Sequence, residues 1–317
     1  MLVLTPAFLV LLYFNVKEWQ QTLRPPTPGV PRLFLAFEWV PMRRLGNLMF
    51  LFASAVGIAA QNNMTMIIDR SSPLVDAFHI VELTVDDVNN ALAAASVVSY
   101  YEQLASTYDA TARDLLRAVG RTQRPSNVRI CCYFQSWRYF HESADRVRQN
   151  FRFREPIAAA ADAFIASKSS GRRNTTTRVG IHVRHSYASD AYKSGYIVAP
   201  LHYFRSAMRY FTDRYHHVEF VVCSDDVTWC RENLPAAVDA TTDAEMKFSY
   251  SNSAEVDLAI LARCDHVIMS VGTYSWWAAW LANGTTVYYA DWPGPSTMLS
   301  SIVNKSDYFP PHWIAMR

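Results

Sequence analysis

The chain has 317 residues, half of them apolar, enough for one large core or two medium ones. Its formal charge is +2, with neither a polybasic run nor an acidic tail, which argues against a nucleic-acid partner. Nine Trp and seventeen Tyr suit stacking on rings or sugars but suit a large core equally well.

Residues 1–14 carry no charge and are almost wholly apolar, with Pro6 the only breaker. A helix needs about 20 apolar residues to cross a bilayer, so this run is short. We read it as the remnant of a type II signal anchor rather than a cleaved signal peptide, since no small-residue cleavage site stands out. Residues 15–31 form a stem whose prolines (Pro25, Pro26, Pro28 and Pro31) exclude a helix. The N-glycosylation pattern recurs at Asn63, Asn174, Asn283 and Asn304, which suits a luminal setting. The five cysteines show no metal spacing; a Cys230–Cys264 bridge is one pairing they leave open.

The apolar run 33–37 reads as a buried strand, punctuated afterwards by Pro41 and by Gly46-Asn47. Leu48, Phe52, Ala55 and Ala59 recur at helical spacing over 48–60, in a helix apolar nearly all round. Residues 64–69 follow as a strand. This βαβ unit places the loop 43–47 at the ligand position, but without the glycine spacing of a dinucleotide fingerprint, so NAD is not expected. Residues 74–116 look mixed and mostly helical, most strongly at 91–95. A strand follows at 129–134, then a helix over 155–167 with Pro156 in its first turn. Residues 168–177 are a polar loop.

Val179, Ile181 and Val183 alternate in a short buried strand that delivers His182 and Arg184 to its carboxyl end. Leu201, Phe204, Met208 and Phe211 mark an amphipathic helix, and 218–223 a strand ending in Ser224, Asp225 and Asp226. A helix is expected over 255–263, a strand over 266–269, and a helix over 273–281 closed by Asn283-Gly284. Residues 285–289 read as the last strand. The alternation predicts an α/β chain of two Rossmann-like domains, 32–150 and 151–317, facing across a cleft.

In the second half, polar groups fall at three successive strand ends: His182 with Arg184, Ser224 with Asp225, and Ser270 before Gly272 and Thr273. The last group opens a helix, whose N–H groups and dipole suit a phosphate, and Arg184 supplies the charge. Asp257, inside a helix, is placed to accept hydrogen bonds from a base or ribose. Together they suggest a nucleoside-diphosphate site; helix capping by Ser270 and Thr273 is the simpler alternative. Asp225-Asp226 is better read as a solvated turn than as a metal pair, because adjacent residues point to opposite faces. His216-His217 reads as a loop for the same reason.

The chain resembles the animal alpha-1,2-fucosyltransferases of glycosyltransferase family 11. The resemblance is carried by Leu45-Gly-Asn-Leu-Met-Phe50, Ser136-Trp-Arg-Tyr-Phe140, His182-Val-Arg184, Val221-Val-Cys-Ser-Asp225 and Trp229-Cys-Arg-Glu-Asn233. Its most specific block runs from Asp257 to Leu281, with Cys264-Asp-His-Val-Ile-Met269 and Gly272-Thr-Tyr-Ser-Trp-Trp-Ala-Ala279. It implies a GT-B-type fold, GDP-fucose as donor, a glycan acceptor ending in galactose, and inverting transfer without a metal or other cofactor. It also implies a single-pass type II Golgi protein held in the membrane by its N-terminal segment. By position, Arg184 would contact the donor pyrophosphate with His182 beside it, Asp257 the nucleoside, and Gly272 and Thr273 the phosphates. Gly46 and Asn47 would face the acceptor.

One departure stands out. Family members usually follow His-Val-Arg with Arg-Gly-Asp-Tyr, whereas this chain has His185-Ser186-Tyr187. If the missing carboxylate orients the arginine or takes the acceptor proton, Asp190 or His185 would have to replace it. The alternative is a relative that binds nucleotide sugar or glycan without transferring.

Overall fold

The computed structural model describes residues 33–38, 44–111, 126–167, 176–186, 189–239 and 242–317. The anchor and stem segments, and the sequon at Asn174, lie outside these residues. Two sheets organise the chain. The first comprises β1 (Phe34–Phe37), β2 (Thr65–Asp69), β3 (Leu83–Val85), β4 (Val97–Tyr101) and β5 (Asn127–Cys131), in the order β3-β2-β1-β5-β4. The second comprises β6 (Thr177–Val183), β7 (Val218–Ser224), β8 (Ala244–Phe248), β9 (His266–Met269), β10 (Thr286–Tyr289) and β11 (Ile314–Met316), in the order β11-β10-β9-β6-β7-β8. Every pairing in both sheets is parallel. Parallel strands are covered on both faces, which is why β1 is a continuous apolar run and β9 is apolar from Val267 to Met269.

Five helices matter for the site: α1 (Leu45–Gln61), α2 (Leu201–Thr212), α3 (Val227–Asn233), α4 (Ala254–Leu261) and α5 (Gly272–Ala282). The apolar surround of α1 has a direct cause, since it is buried from Leu48 to Ala59. One side packs on the first sheet and another on α5, where Phe50 meets Trp276 and Trp277 at ring distances of 4.5 and 5.1 Å. Both indoles are fully buried and both N–H groups are used, Trp277 donating to the Gly46 carbonyl and Trp276 to that of Tyr308. Among the described residues no helix is long and apolar enough to cross a membrane.

Three expectations change. Between residues 74 and 109 the chain is not mainly helical: there only residues 73–77 and 88–92 are α-helix, and the β-branched and aromatic run Val97–Tyr101 pairs with β5. As an edge strand it is largely exposed, so no buried alternation announces it. The last strand is β11, not β10; it is three residues long and needs β10 to define it. Finally, Cys230 and Cys264 do not pair, and all five cysteines are free thiols. Cys264 lies beside Cys223 and Cys230 beside Ser224; neighbouring residues of β7 project to opposite faces, so the sheet separates the two sulfurs.

At Gly46 the two domains approach backbone to backbone. A Cβ there would sit 2.6 Å from the Tyr274 nitrogen and 2.7 Å from the Thr273 carbonyl carbon, both backbone atoms. Gly46→Ala should therefore destabilise the fold by about 1–3 kcal/mol, the usual cost of overpacking. The lower urea midpoint at unchanged slope would show it, and an unchanged midpoint would mean that the seam is loose.

Candidate active site

The carboxyl ends of both sheets open on one cleft of about 760 Å³. Its floor is the seam between α1 and α5. Gly46 abuts Thr273 and Tyr274, and Phe50 meets Trp276 and Trp277 one turn later, so the helices run in the same direction with their N-termini side by side. Neither has a side-chain cap or an acidic residue in its first turn. By contrast α3 is capped by Asp226 and α4 by Ser253. Two uncapped positive poles at one place favour an anion. Gly272 takes φ +87°, a conformation that glycine adopts without strain, and so turns β9 into α5 at the cleft wall.

Arg184 extends from the end of β6 and pairs with Asp225 at the end of β7 at 2.8 Å. Both side chains are about a quarter exposed, toward the cleft they line. The Arg184 backbone N–H donates to the Ser270 hydroxyl at 2.9 Å. Ser270 is itself buried, so it fixes the arginine's backbone instead of lining the cleft. Ser224 donates to the Val183 carbonyl and accepts from the Asp226 N–H, tying the two strand ends together. Asp225 also accepts from the N–H groups of His185 and Ser186.

His182 is buried beneath this layer. Its Nδ1 lies 2.8 Å from the Ser275 hydroxyl and its ring 4.8 Å from that of Tyr274. Burial first, and Arg184 second, lower its pKa to about 3, so at neutral pH it is an uncharged packing and hydrogen-bonding group. Asp257 lines the cleft from α4. Burial raises its pKa, partly offset by hydrogen bonds from Ser249, Asn252 and Cys223. Thr273 donates to Asn47 Oδ1 at 2.7 Å, Gln135 donates to the same oxygen at 3.1 Å, and Ser106 donates to Gln135 at 3.1 Å. This hydrogen-bonded row crosses from one domain to the other.

Residues 106–317 match the family described as Glycosyl transferase family 11. The chain belongs to glycosyl transferase family 11. The family-11 chain is 28% identical over 303 residues to the Galactoside alpha-(1,2)-fucosyltransferase 2 of Bos taurus, covering 93% of this chain and 83% of that protein. It is 33% identical over 188 residues to the Galactoside alpha-(1,2)-fucosyltransferase 1 of Saimiri sciureus, over 57% of this chain and 50% of that protein. Among solved structures it is similar to a point mutant of Arabidopsis thaliana FUT1 in complex with GDP, with a TM-score of 0.57, 12% identity, and coverage of 91% of this chain and 80% of that one. The NodZ alpha-1,6-fucosyltransferase soaked with GDP-fucose gives a TM-score of 0.51 at 19% identity, over 79% and 93% of the two chains. The family-11 enzyme thus has the GT-B-type fold, two parallel α/β domains facing across a cleft.

In this family-11 enzyme the residues singled out in the sequence do not all meet in one place. Arg184, Ser224, Asp225, Asp257, Gly272, Thr273, His182, Gly46 and Asn47 all line the cleft, whereas Ser270 stands behind it. Gly46 and Asn47 belong to the first turn of α1, not to a loop, and their contacts are with Thr273 across the seam. Asp190 falls in the turn Ser189–Ser194, and its side chain is outside the described residues. His185 stacks on Trp229 with ring centroids 4.4 Å apart and contacts Asp226 at 2.9 Å, so it closes the β6–α3 corner. Asn63, Asn283 and Asn304 are exposed. Sequence reasoning missed Ser106, Tyr133, Gln135, Tyr196 and Asn252, all of which line the cleft from connecting segments. Gln135, adjoining the Ser136–Phe140 word, was the one with a nearby signal. Among the described residues no three His, Cys, Asp or Glu side chains are grouped to hold a metal.

The depressed pKa of His182 has a consequence for acid stability. An unfolded histidine takes a proton near its ordinary value of 6.5, while the folded one resists until about 3. The unfolded state therefore binds more protons across that window, and stability falls as pH drops from 6.5 toward 3. His182→Gln should flatten the stability profile in that window by up to about 1.4 kcal/mol per pH unit, measured as urea midpoints at successive pH values. Equal slopes in the two proteins would show that His182 titrates normally.

Proposed function

We propose that this chain transfers L-fucose from GDP-β-L-fucose to O2 of a terminal β-galactoside, with inversion to an α-1,2 linkage and without a metal. The observation that carries the reading is the Arg184–Asp225 pair standing at the cleft beside two uncapped helix N-termini. This positive end suits a diphosphate, and Asp257 with Asn252 beside it offers polar partners for the nucleoside. The acceptor O2 attacks the anomeric carbon as the carbon–phosphate oxygen bond breaks. The electron pair leaves with GDP, and the hydroxyl proton is released. Negative charge grows on the diphosphate, where fixed positive charge lowers the barrier. His182, being neutral, adds no charge; it backs Tyr274 and Ser275 behind α5.

The His185-Ser186 departure does not leave Arg184 without a carboxylate, because Asp225 supplies one. That contact supports the transferring enzyme over a relative that only binds nucleotide sugar or glycan. The same reading puts the catalytic part in the Golgi lumen behind a type II membrane anchor, supported by the exposure of the sequons at Asn63, Asn283 and Asn304.

The test is transfer from GDP-fucose to β-galactosides with EDTA present, followed by cleavage of the product with an α-1,2-specific fucosidase. Product that resists this enzyme would overturn the linkage, and loss of turnover with EDTA would overturn metal independence. GDP binding without product would favour the non-transferring relative. Arg184→Ala should lower kcat/KM by about 10²–10³ with an unchanged circular-dichroism spectrum. A variant as active as the wild type would remove Arg184 from the reaction.

A further inference from the structure

The cleft is chemically two-sided. The ionic groups that line it stand at the ends of β6 and β7, on α4 and at Arg44 before α1, whereas Ala105, Ser106, Tyr133 and Gln135 of the first domain contribute neutral side chains. Two tyrosines of the cleft are exposed despite the cost of exposing rings, Tyr133 at 42% and Tyr196 at 38%. They come from opposite domains, one from the segment after β5 and the other from the segment before α2. Both line the same cleft, where burial first and the Tyr133 phenol second raise the pKa of Tyr196.

The backbone is shaped to present both rings. Tyr133 lies between Cys132 at φ +94° and Phe134 at φ +48°, left-handed conformations that side-chain-bearing residues adopt at a cost. The Glu102 carboxylate accepts from the N–H groups of both Tyr133 and Phe134, at 2.9 and 2.7 Å, and Phe134 is fully buried. The turn is thus anchored at both sides with the Tyr133 ring turned out. Tyr196 follows Gly195 at φ +100°, where a Cβ would lie 2.2 Å from the Thr297 hydroxyl oxygen. The Gly195 carbonyl accepts from the Gly294 N–H at 3.0 Å. Neither ring would be presented in this way by an ordinary loop. Met298, 61% exposed, adds an apolar surface to the same cleft.

We propose that Tyr133 and Tyr196 form the platform that grips the terminal sugar of the acceptor. The ligand class is a neutral pyranose, whose C–H face stacks on a ring while its hydroxyls bond to phenols and to the Ser106–Gln135 pair. Gln135 also bonds Asn47, so the platform is continuous with the α1–α5 floor at which the donor diphosphate is placed. The proposal rests on the reading of the chain as a galactoside fucosyltransferase.

The experiment uses the full chain, with transfer kinetics and saturation-transfer NMR of a β-galactoside in the presence of GDP. Tyr133→Ala and Tyr196→Ala should each raise the acceptor KM about tenfold or more. GDP affinity should stay within about twofold, since the contacts proposed for the diphosphate and nucleoside, at Arg184 and Asp257, involve neither ring. Tyr133→Phe, which keeps the ring, should recover most of the loss. Unchanged acceptor KM in both alanine variants would overturn the platform while leaving the transfer reading intact. If the wild type transfers nothing, the NMR signal decides: galactoside contact that both alanine substitutions abolish supports the platform though transfer has failed. No contact with the wild type, or contact that survives both substitutions, overturns the platform.

Discussion

The architecture depends on the contact between Gly46 of α1 and the first turn of α5. It joins residues 226 and more positions apart, and only a residue without a side chain permits the approach. Because the helices run side by side in one direction, the contact sets two like dipole ends next to each other. That arrangement is unfavourable by itself. It is held by apolar packing farther along, where Phe50, Phe140, Trp276 and Trp277 interlock, and by the indole of Trp277 donating to the Gly46 carbonyl. The fold therefore keeps a region of positive potential at the cleft floor, stabilised from behind by burial and open in front to an anion.

The rest of the site is arranged around that floor. Strand ends supply the charged group, with Ser270 holding the Arg184 backbone and Asp225 its guanidinium, so the cation is oriented before any ligand arrives. Such orientation matters because a donor that has to be reorganised during reaction stabilises a transition state less well. The Ser106–Gln135–Asn47–Thr273 row then carries hydrogen bonding from the first domain to the second. The C-terminal segment closes the assembly. Asp307, almost fully buried, accepts from the Tyr108 N–H and pairs with Arg138, while its carbonyl accepts from Ser136. The Ser136–Phe140 word is thus a docking site for the chain's own C-terminal turn, and both domains share one core.

Local pattern was informative where burial is periodic or complete. The strand at His182 and Arg184, the strand His266–Met269 and the helix ending at Asn283 were all legible, since each combines an apolar run with a clear stop. Asn283 itself takes the left-handed conformation that ends α5. Edge elements were not legible. Val97–Tyr101 faces solvent over most of its length and Ile314–Met316 is short, so neither shows the alternation on which a strand assignment rests. The helical spacing begins at Leu48, three residues after α1 itself, for a related reason: Gly46 and Asn47 look like loop residues until the partner helix that requires them is present.

By itself the sequence determined the strand and helix runs, the three polar strand ends and the family words that carry the resemblance. These are short-range patterns, fixed by alternation, helical spacing and breaker residues. Tertiary structure decided the rest. It made Asp225 the partner of Arg184, took Ser270 out of the cleft, left His182 neutral, and separated Cys230 from Cys264 across a sheet. It also brought Tyr133 and Tyr196 from different domains to one cleft. Each of these outcomes depends on distance and burial between segments remote in the chain, and no local periodicity encodes either quantity.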